Sequence, residues 1–287
     1  MCRESCGSGC CRLGARQLFS DGGISVFFWI YDQPTWAMAL LFSAAFAIFG
    51  VGGLAIFRRT TLDWIHRSER TNEVVGFAMS SFALLYGLLL GLLAVAAYGS
   101  YSASGDQVTR EAASLAALYR DVGGLPEPKR TELQTTLRVY IREVVDVSWP
   151  LQREGVVPIG AGKVMIGFAA QLQAFQPATM GEQALFSEAL SQMNTLLALR
   201  STRLASVNSG IPGILWGVVL VGALINIVLI WMINTERHVH IMLTGMLSAF
   251  MGLVIFLIAA MDFPFRGEVS IDAAPFEAVY AQVMSLR

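Results

Sequence analysis

The side chains of this sequence that could do chemistry are few and widely spaced. Glu111, Arg120, Arg200 and Arg203 lie on segments that lead straight into long apolar stretches, and Asp262 and Arg266 flank Pro264 where the last such stretch ends. Guanidinium groups gathered at a membrane mouth attract anions, whereas carboxylate–guanidinium pairs tie helices together. For the first four residues, ion pairing or solvation is the simpler expectation and a ring of arginines the functional one. Asp262 and Arg266 are expected to anchor an interface and end a helix, with a charged vestibule as the alternative.

Polar groups at membrane depth are costly and therefore informative. Asn226 stands in the middle of the third apolar stretch, and Ser80, Ser81 and Ser248 are the other notable cases. Asn226 is expected to hydrogen-bond a neighbouring helix rather than coordinate a permeating ion. No Asp, Glu, Lys or Arg falls at the centre of any stretch, which argues against a proton-coupled transporter or a voltage sensor. His238 and His240 are two residues apart and point to different helix faces, and with His66 they form no ligand cluster. No Gly-x-Ser-x-Gly elbow, phosphate loop or dinucleotide fingerprint occurs. The expectation is no catalytic residue, no metal, no cofactor and no enzyme.

These residues belong to a chain that is 55% hydrophobic and only 14% charged, with a mean hydropathy of +0.57. A soluble domain carries about 25% charge, so a water-soluble core is excluded. The net charge of -1 gives no sign of a nucleic-acid partner. Four segments meet the length of about 20 apolar residues that a bilayer requires: Pro34 to Phe57, Val74 to Tyr98, Ile211 to Ile233 and Ile241 to Met261. The expected fold is an all-α integral membrane protein with four transmembrane helices in two hairpins. A helical extramembrane domain is inserted between the second and third. The expected divisions are a first hairpin over 34–98, the inserted domain over 99–210, a second hairpin over 211–261 and an interfacial C-terminal tail over 262–287. Residues 1–33, with Cys2, Cys6, Cys10 and Cys11, are expected to be a disordered tail, because the cysteine spacing suits no zinc site and no cleavage signal follows.

Inside the insert, Val108, Ala112, Leu115, Ala116 and Tyr119 share one helical face, so the second span is expected to run on to Val122. Gly123-Gly124 ends it. A helix with Leu133, Leu137, Tyr140, Ile141, Val144 and Val145 on one side follows and is expected to close at Trp149-Pro150. Two more cover Ala161 to Phe175 and Glu182 to Val207. Arg58, Arg59, Arg67, Arg70 and Arg237 crowd the short connections, so positive-inside logic places those loops in the cytoplasm and the long domain outside.

Along the second span, Gly76, Ser80, Ala83, Gly87, Gly91 and Ala94 are spaced three or four apart and form one stripe. Such a stripe lets helices approach closely, or it lines a pore with carbonyls and the Ser80 hydroxyl facing water. Helix packing is the simpler reading.

Several strings, taken in order, resemble a bacterial bestrophin-like membrane protein family. They are Asn72-Glu73-Val74-Val75-Gly76-Phe77, Tyr86-Gly87, Glu111-Ala112-Ala113, Tyr119-Arg120, Trp149-Pro150, Arg200 with Arg203, Pro212 followed by Trp216, and Pro264-Phe265-Arg266-Gly267. The resemblance covers roughly residues 70 to 280. Bestrophins are pentameric anion channels with four membrane helices per subunit and a large cytosolic domain, a sidedness opposite to the charge count; no bestrophin pore signature accompanies the strings. The resemblance implies a multi-pass protein of a bacterial inner membrane, embedded in the lipid bilayer. It also implies a homo-oligomer with inorganic ions as partners. The function expected is an oligomeric ion channel with the second helix on the axis. The alternative is a non-conducting scaffold or sensor that binds a partner through the face from Leu133 to Val145.

Overall fold

The structure is a computed structural model that describes residues 33–65 and 71–285. Cys2, Cys6, Cys10, Cys11, His66, Arg67 and Arg70 lie outside the described residues, as does the N-terminal segment up to residue 32. The chain is helical, and among the described residues there is no strand. Four helices are long and apolar enough to cross a bilayer: α1 (Thr35–Ile65), α2 (Thr71–Val122), α7 (Gly213–Trp231) and α8 (Arg237–Asp262). Between α2 and α7 lie α3 (Lys129–Arg142), α4 (Trp149–Arg153), α5 (Gly160–Gln173) and α6 (Met180–Ser206), and α9 (Ala274–Val279) follows α8.

Local chemistry explains most of the boundaries. The Thr179 hydroxyl accepts from the Glu182 N–H at 3.1 Å while the Glu182 carboxylate accepts from the Ala178 N–H at 2.7 Å, which satisfies free donors at the start of α6 in the manner of a capping box. α2 is continuous over 52 residues, because no proline or paired glycine interrupts it before Gly123-Gly124. The expected stop at Trp149-Pro150 does not occur. A π-helical turn over Glu143–Ser148 passes directly into α4, with Pro150 in the first turn, where a missing N–H costs least.

The long association in the membrane joins the first and fourth spans. α1 lies along α8 rather than pairing broadly with α2, so the neighbours in space are not those of a simple hairpin. Small residues make this approach possible, since lipid supplies no hydrophobic drive between helices and close contact must do so. A Cβ at Gly252 would stand 2.7 Å from the Phe42 carbonyl, and one at Gly50 would stand 2.9 Å from the Ser248 Cβ. Ser43 donates to the Ala249 carbonyl at 3.1 Å. Trp231 of α7 lies over Gly53 and donates from Nε1 to the Gly50 carbonyl at 2.8 Å. At the other end of α1 the Glu268 carboxylate accepts from both the Thr35 N–H and its hydroxyl, each at 2.7 Å.

Two apolar clusters result. One, in the membrane, gathers Leu54, Tyr86, Leu90, Val219, Ile227 and Ile255. The other, in the extramembrane domain, includes Leu115, Leu133, Tyr140, Phe168 and Leu196. Phe265, Phe276 and Met284, from the segment expected to form an interfacial tail over 262–287, are buried in this second cluster. Three buried apolar side chains in that short segment gain more from the core than from a membrane surface.

Candidate functional site

The glycines of the small-residue stripe of α2 are open within the described chain, whereas Ala94 at its edge packs against the membrane cluster of Tyr86, Leu90 and Val219. A Cβ added at Gly76, Gly87 or Gly91 would meet nothing within 4 Å. Ser80 is exposed and donates to the Gly76 carbonyl at 2.9 Å, and Ala83 and Ala94 are half-buried. The helix packs inside the chain through a different face, carrying Val75, Tyr86, Leu90, Leu93 and Ala97. The expected packing by the glycines of the stripe is therefore not made within one subunit. Within the subunit, close approach is the work of Gly50 on α1, Gly252 on α8 and Gly222 on α7, which the sequence reading does not single out, and of Ser248, noted there only for its polarity. Gly245, Ser248 and Gly252, spaced three and four apart, were the available signal.

Tyr86 shows why α2 is oriented as it is. Its ring fills the space beside Gly222, with Cδ2 2.6 Å from where a Cβ would stand, and its hydroxyl donates to the Val219 carbonyl at 2.9 Å. A bulky polar-tipped residue on one face thus docks α2 on α7 and turns the small residues outward. Asn226 is buried on α7, and its amide makes no hydrogen bond to another described residue.

At the extramembrane end of the spans, Asp262 is buried. One carboxylate oxygen accepts from the Ile211 N–H and the other from Trp216 Nε1, the latter at 3.1 Å. Asp262 therefore ties the end of α8 both to the connection just before α7 and to the Trp216 indole in its first turns. Arg266 donates to the Glu154 carbonyl at 2.9 Å and lies over the Phe263 ring, so it joins the turn after α8 to α4. Neither residue stands in a ring of charges within the subunit.

Deeper in the extramembrane domain, Glu111 and Arg203 form an ion pair with both side chains essentially inaccessible. Arg203 bonds both Glu111 oxygens, Nη2 at 3.0 Å from Oε1, and donates from Nη1 to the Gln152 side-chain oxygen. Its guanidinium carbon lies 5.2 Å from the Trp149 ring centre and 5.8 Å from that of Phe276. The buried Tyr140 hydroxyl donates to Glu111 Oε1 at 3.4 Å. Burial, and then the Glu111 charge, push the Tyr140 phenol above its ordinary range, so it stays a donor. Glu111 and Arg203 thus pair between α2 and α6. Arg120 is exposed and donates to the Ala116 carbonyl of its own helix at 3.3 Å. Arg200 is half-buried, its guanidinium resting on Gly162, and its buried Nε has no hydrogen-bond partner among the described residues. Gln152 and Phe276 carry no sequence mark of their role, whereas Trp149-Pro150 and the three-residue spacing of Arg200 and Arg203 did mark this region.

The arrangement offers no nucleophile–base pair. Among the described residues no group of three or more His, Cys, Asp and Glu side chains could hold a metal. The face from Leu133 to Val145, which the scaffold alternative assigns to a partner, packs into the core of the domain, with Val145 half-buried at its edge.

The sequence profile of the Bestrophin-like domain matches residues 44–276. The fold is similar to that of a point mutant of a bacterial bestrophin homologue from Klebsiella pneumoniae, with a TM-score of 0.58 at 12% identity over 88% of this chain and 100% of that one. A second mutant of that homologue superposes with a TM-score of 0.57 at 12% identity, covering 88% of this chain and 97% of the other. A structure described as a membrane protein gives 0.58 at 12% identity, covering 88% and 98%. At this identity the likeness establishes the fold. No curated protein matches the sequence.

Proposed function

The chain belongs to the bestrophin-like family, and from that premise we propose that it is an oligomeric anion channel of a bacterial inner membrane, with α2 facing the axis of assembly. The observation that carries this reading is the open face at Gly76, Ser80, Gly87 and Gly91, with the half-buried Ala83 and Ala94 along its edge, which bears no charge over the membrane-spanning half of α2. A run of small residues leaves backbone carbonyls and one hydroxyl toward whatever occupies the axis. In a lipid-facing role the same run would forgo the apolar contacts that larger side chains provide.

Anion preference on this reading comes from outside the stripe, because no span carries a membrane-centred acid or base. Permeant ions and further copies of the chain are then the partners, together with the surrounding bilayer.

The test is single-channel recording of purified protein in planar bilayers, with a Gly87→Leu variant verified to keep its oligomeric state. Discrete anion currents that the substitution reduces or blocks support the reading. Silence from well-assembled wild-type protein sinks it and favours a non-conducting scaffold.

A further inference from the structure

We propose that Arg203 is a positioning residue for α2, the joint that sets where this helix stands as it leaves the membrane. Three elements meet on its guanidinium: Glu111 from α2, Gln152 and Trp149 from α4, and Phe276 from α9. Its own helix, α6, ends at Ser206, and α7 begins at Gly213. Within that short connection the Ile211 N–H is held by Asp262 from the end of α8. A single side chain therefore sits where the continuations of three membrane helices converge.

The lever is long. α2 is one unbroken helix from Thr71 to Val122, so at 1.5 Å per residue Glu111 lies about 26 Å along the axis from Ala94 and about 36 Å from Gly87. No proline falls between those points, and the helix runs unbroken through Gly99-Ser100 and Ser104-Gly105, the kind of pair at which helices bend, so a change at Glu111 reaches the membrane half through one continuous element. The fixing at Glu111 is two-point, through both carboxylate oxygens, which restrains orientation as well as distance. A lysine at residue 203 would keep the charge and lose this fork geometry. The consequence for permeation rests on the channel reading, but the placement of α2 does not.

The experiment measures that placement directly in the full chain, with Cys2, Cys6, Cys10 and Cys11 replaced by serine. Spin labels are put at Ala94 on α2 and at the exposed Ile48 on α1, and labelled subunits are diluted in unlabelled ones so that the intrachain distance is read. Arg203→Lys, and Glu111→Gln as a second variant in case the first fails to fold, are expected to displace or broaden the distance distribution. Phe168→Leu, which weakens the same core on α5, is expected to leave it unchanged at a matched loss of thermal midpoint. An unaltered distribution in folded Arg203→Lys or Glu111→Gln protein overturns the proposal, as does an equal change in Phe168→Leu. A shifted distance in protein whose wild type conducts nothing removes the channel reading and leaves this one standing.

Discussion

The ring of Tyr86 on α2 occupies the space beside Gly222 on α7 that any larger residue would fill, and its hydroxyl bonds the same helix one turn earlier at Val219. This lock turns the small face of α2 outward. Gly222→Leu should therefore cost much more than Tyr86→Phe. Loss of the single hydroxyl bond is expected to cost about 0.6 kcal/mol, the average for bonds between membrane helices. The leucine should instead prevent α2 from docking. Thermal midpoints of the two proteins in one detergent check the order; a Tyr86→Phe loss that equals the Gly222→Leu loss would contradict it.

The Glu111–Arg203 pair is fully buried, and removing one member strands the other. Glu111→Ala or Arg203→Met alone should each destabilise by about 3–5 kcal/mol, and the double variant should recover a large part of the loss. A double-mutant cycle on denaturant unfolding reads this coupling. Additive losses would show that the pair does not act as a unit.

The close seam between α1 and α8 predicts a sharp contrast between two nearby glycines. A Cβ at Gly50 would collide with Ser248, whereas one at Gly52 would meet nothing within 4 Å. Gly50→Leu should lower the thermal midpoint strongly, and Gly52→Leu should leave it almost unmoved. Equal effects would place the seam elsewhere.

The clasp between Glu268 and Thr35 has a pH signature. The Thr35 N–H and then its hydroxyl hold the Glu268 carboxyl below its ordinary value, so the folded group loses its charge at a lower pH than the unfolded one. Its stabilisation is complete above the unfolded value of about 4.3 and fades as pH falls through the lowered folded value. Protection of the Thr35 amide, exchange taken relative to the intrinsic rate at each pH, should fall below about pH 4.3, and Glu268→Gln should remove that dependence. Protection that falls equally in Glu268→Gln would assign the effect to another group.

The charge rule also makes a prediction about sidedness. With Arg58, Arg59, Arg67, Arg70 and Arg237 in the short connections, the domain that contains the highly exposed Met180 should face outward. With Cys2, Cys6, Cys10 and Cys11 replaced by serine, a Met180→Cys protein in intact cells should react with a membrane-impermeant thiol reagent. Protection until lysis would reverse the orientation and agree with the cytosolic domain of bestrophins.

Much of the architecture could be read from linear order alone. Charge-free runs of about 20 residues have one stable solution in a bilayer, so the four spans follow from composition. The continuation of α2 to Val122 follows from an apolar period of 3.6 carried through Val108, Ala112 and Leu115 without a breaker. For Glu111, Arg120, Arg200 and Arg203 the sequence left ion pairing or solvation open, because charged residues on helices that extend from membrane spans must either meet a partner or reach water, and it did not say which of them pair.

Which surfaces touch was not legible, and the reason is physical. In lipid every face of a span is apolar, so hydrophobicity does not tell a packed face from an outward one, and the choice passes to steric fit at individual residues. Gly76, Gly87 and Gly91 have the same spacing rule as Gly245, Ser248 and Gly252. Only the second set meets another helix of the chain, since Tyr86 docks α2 on Gly222 and rotates the first set away. In the same way Gln152, Trp149 and Phe276 come together on Arg203 from positions 51, 54 and 73 residues away along the chain. Helix membership is dictated by local periodicity and medium, whereas partnership depends on long-range shape that no local pattern encodes.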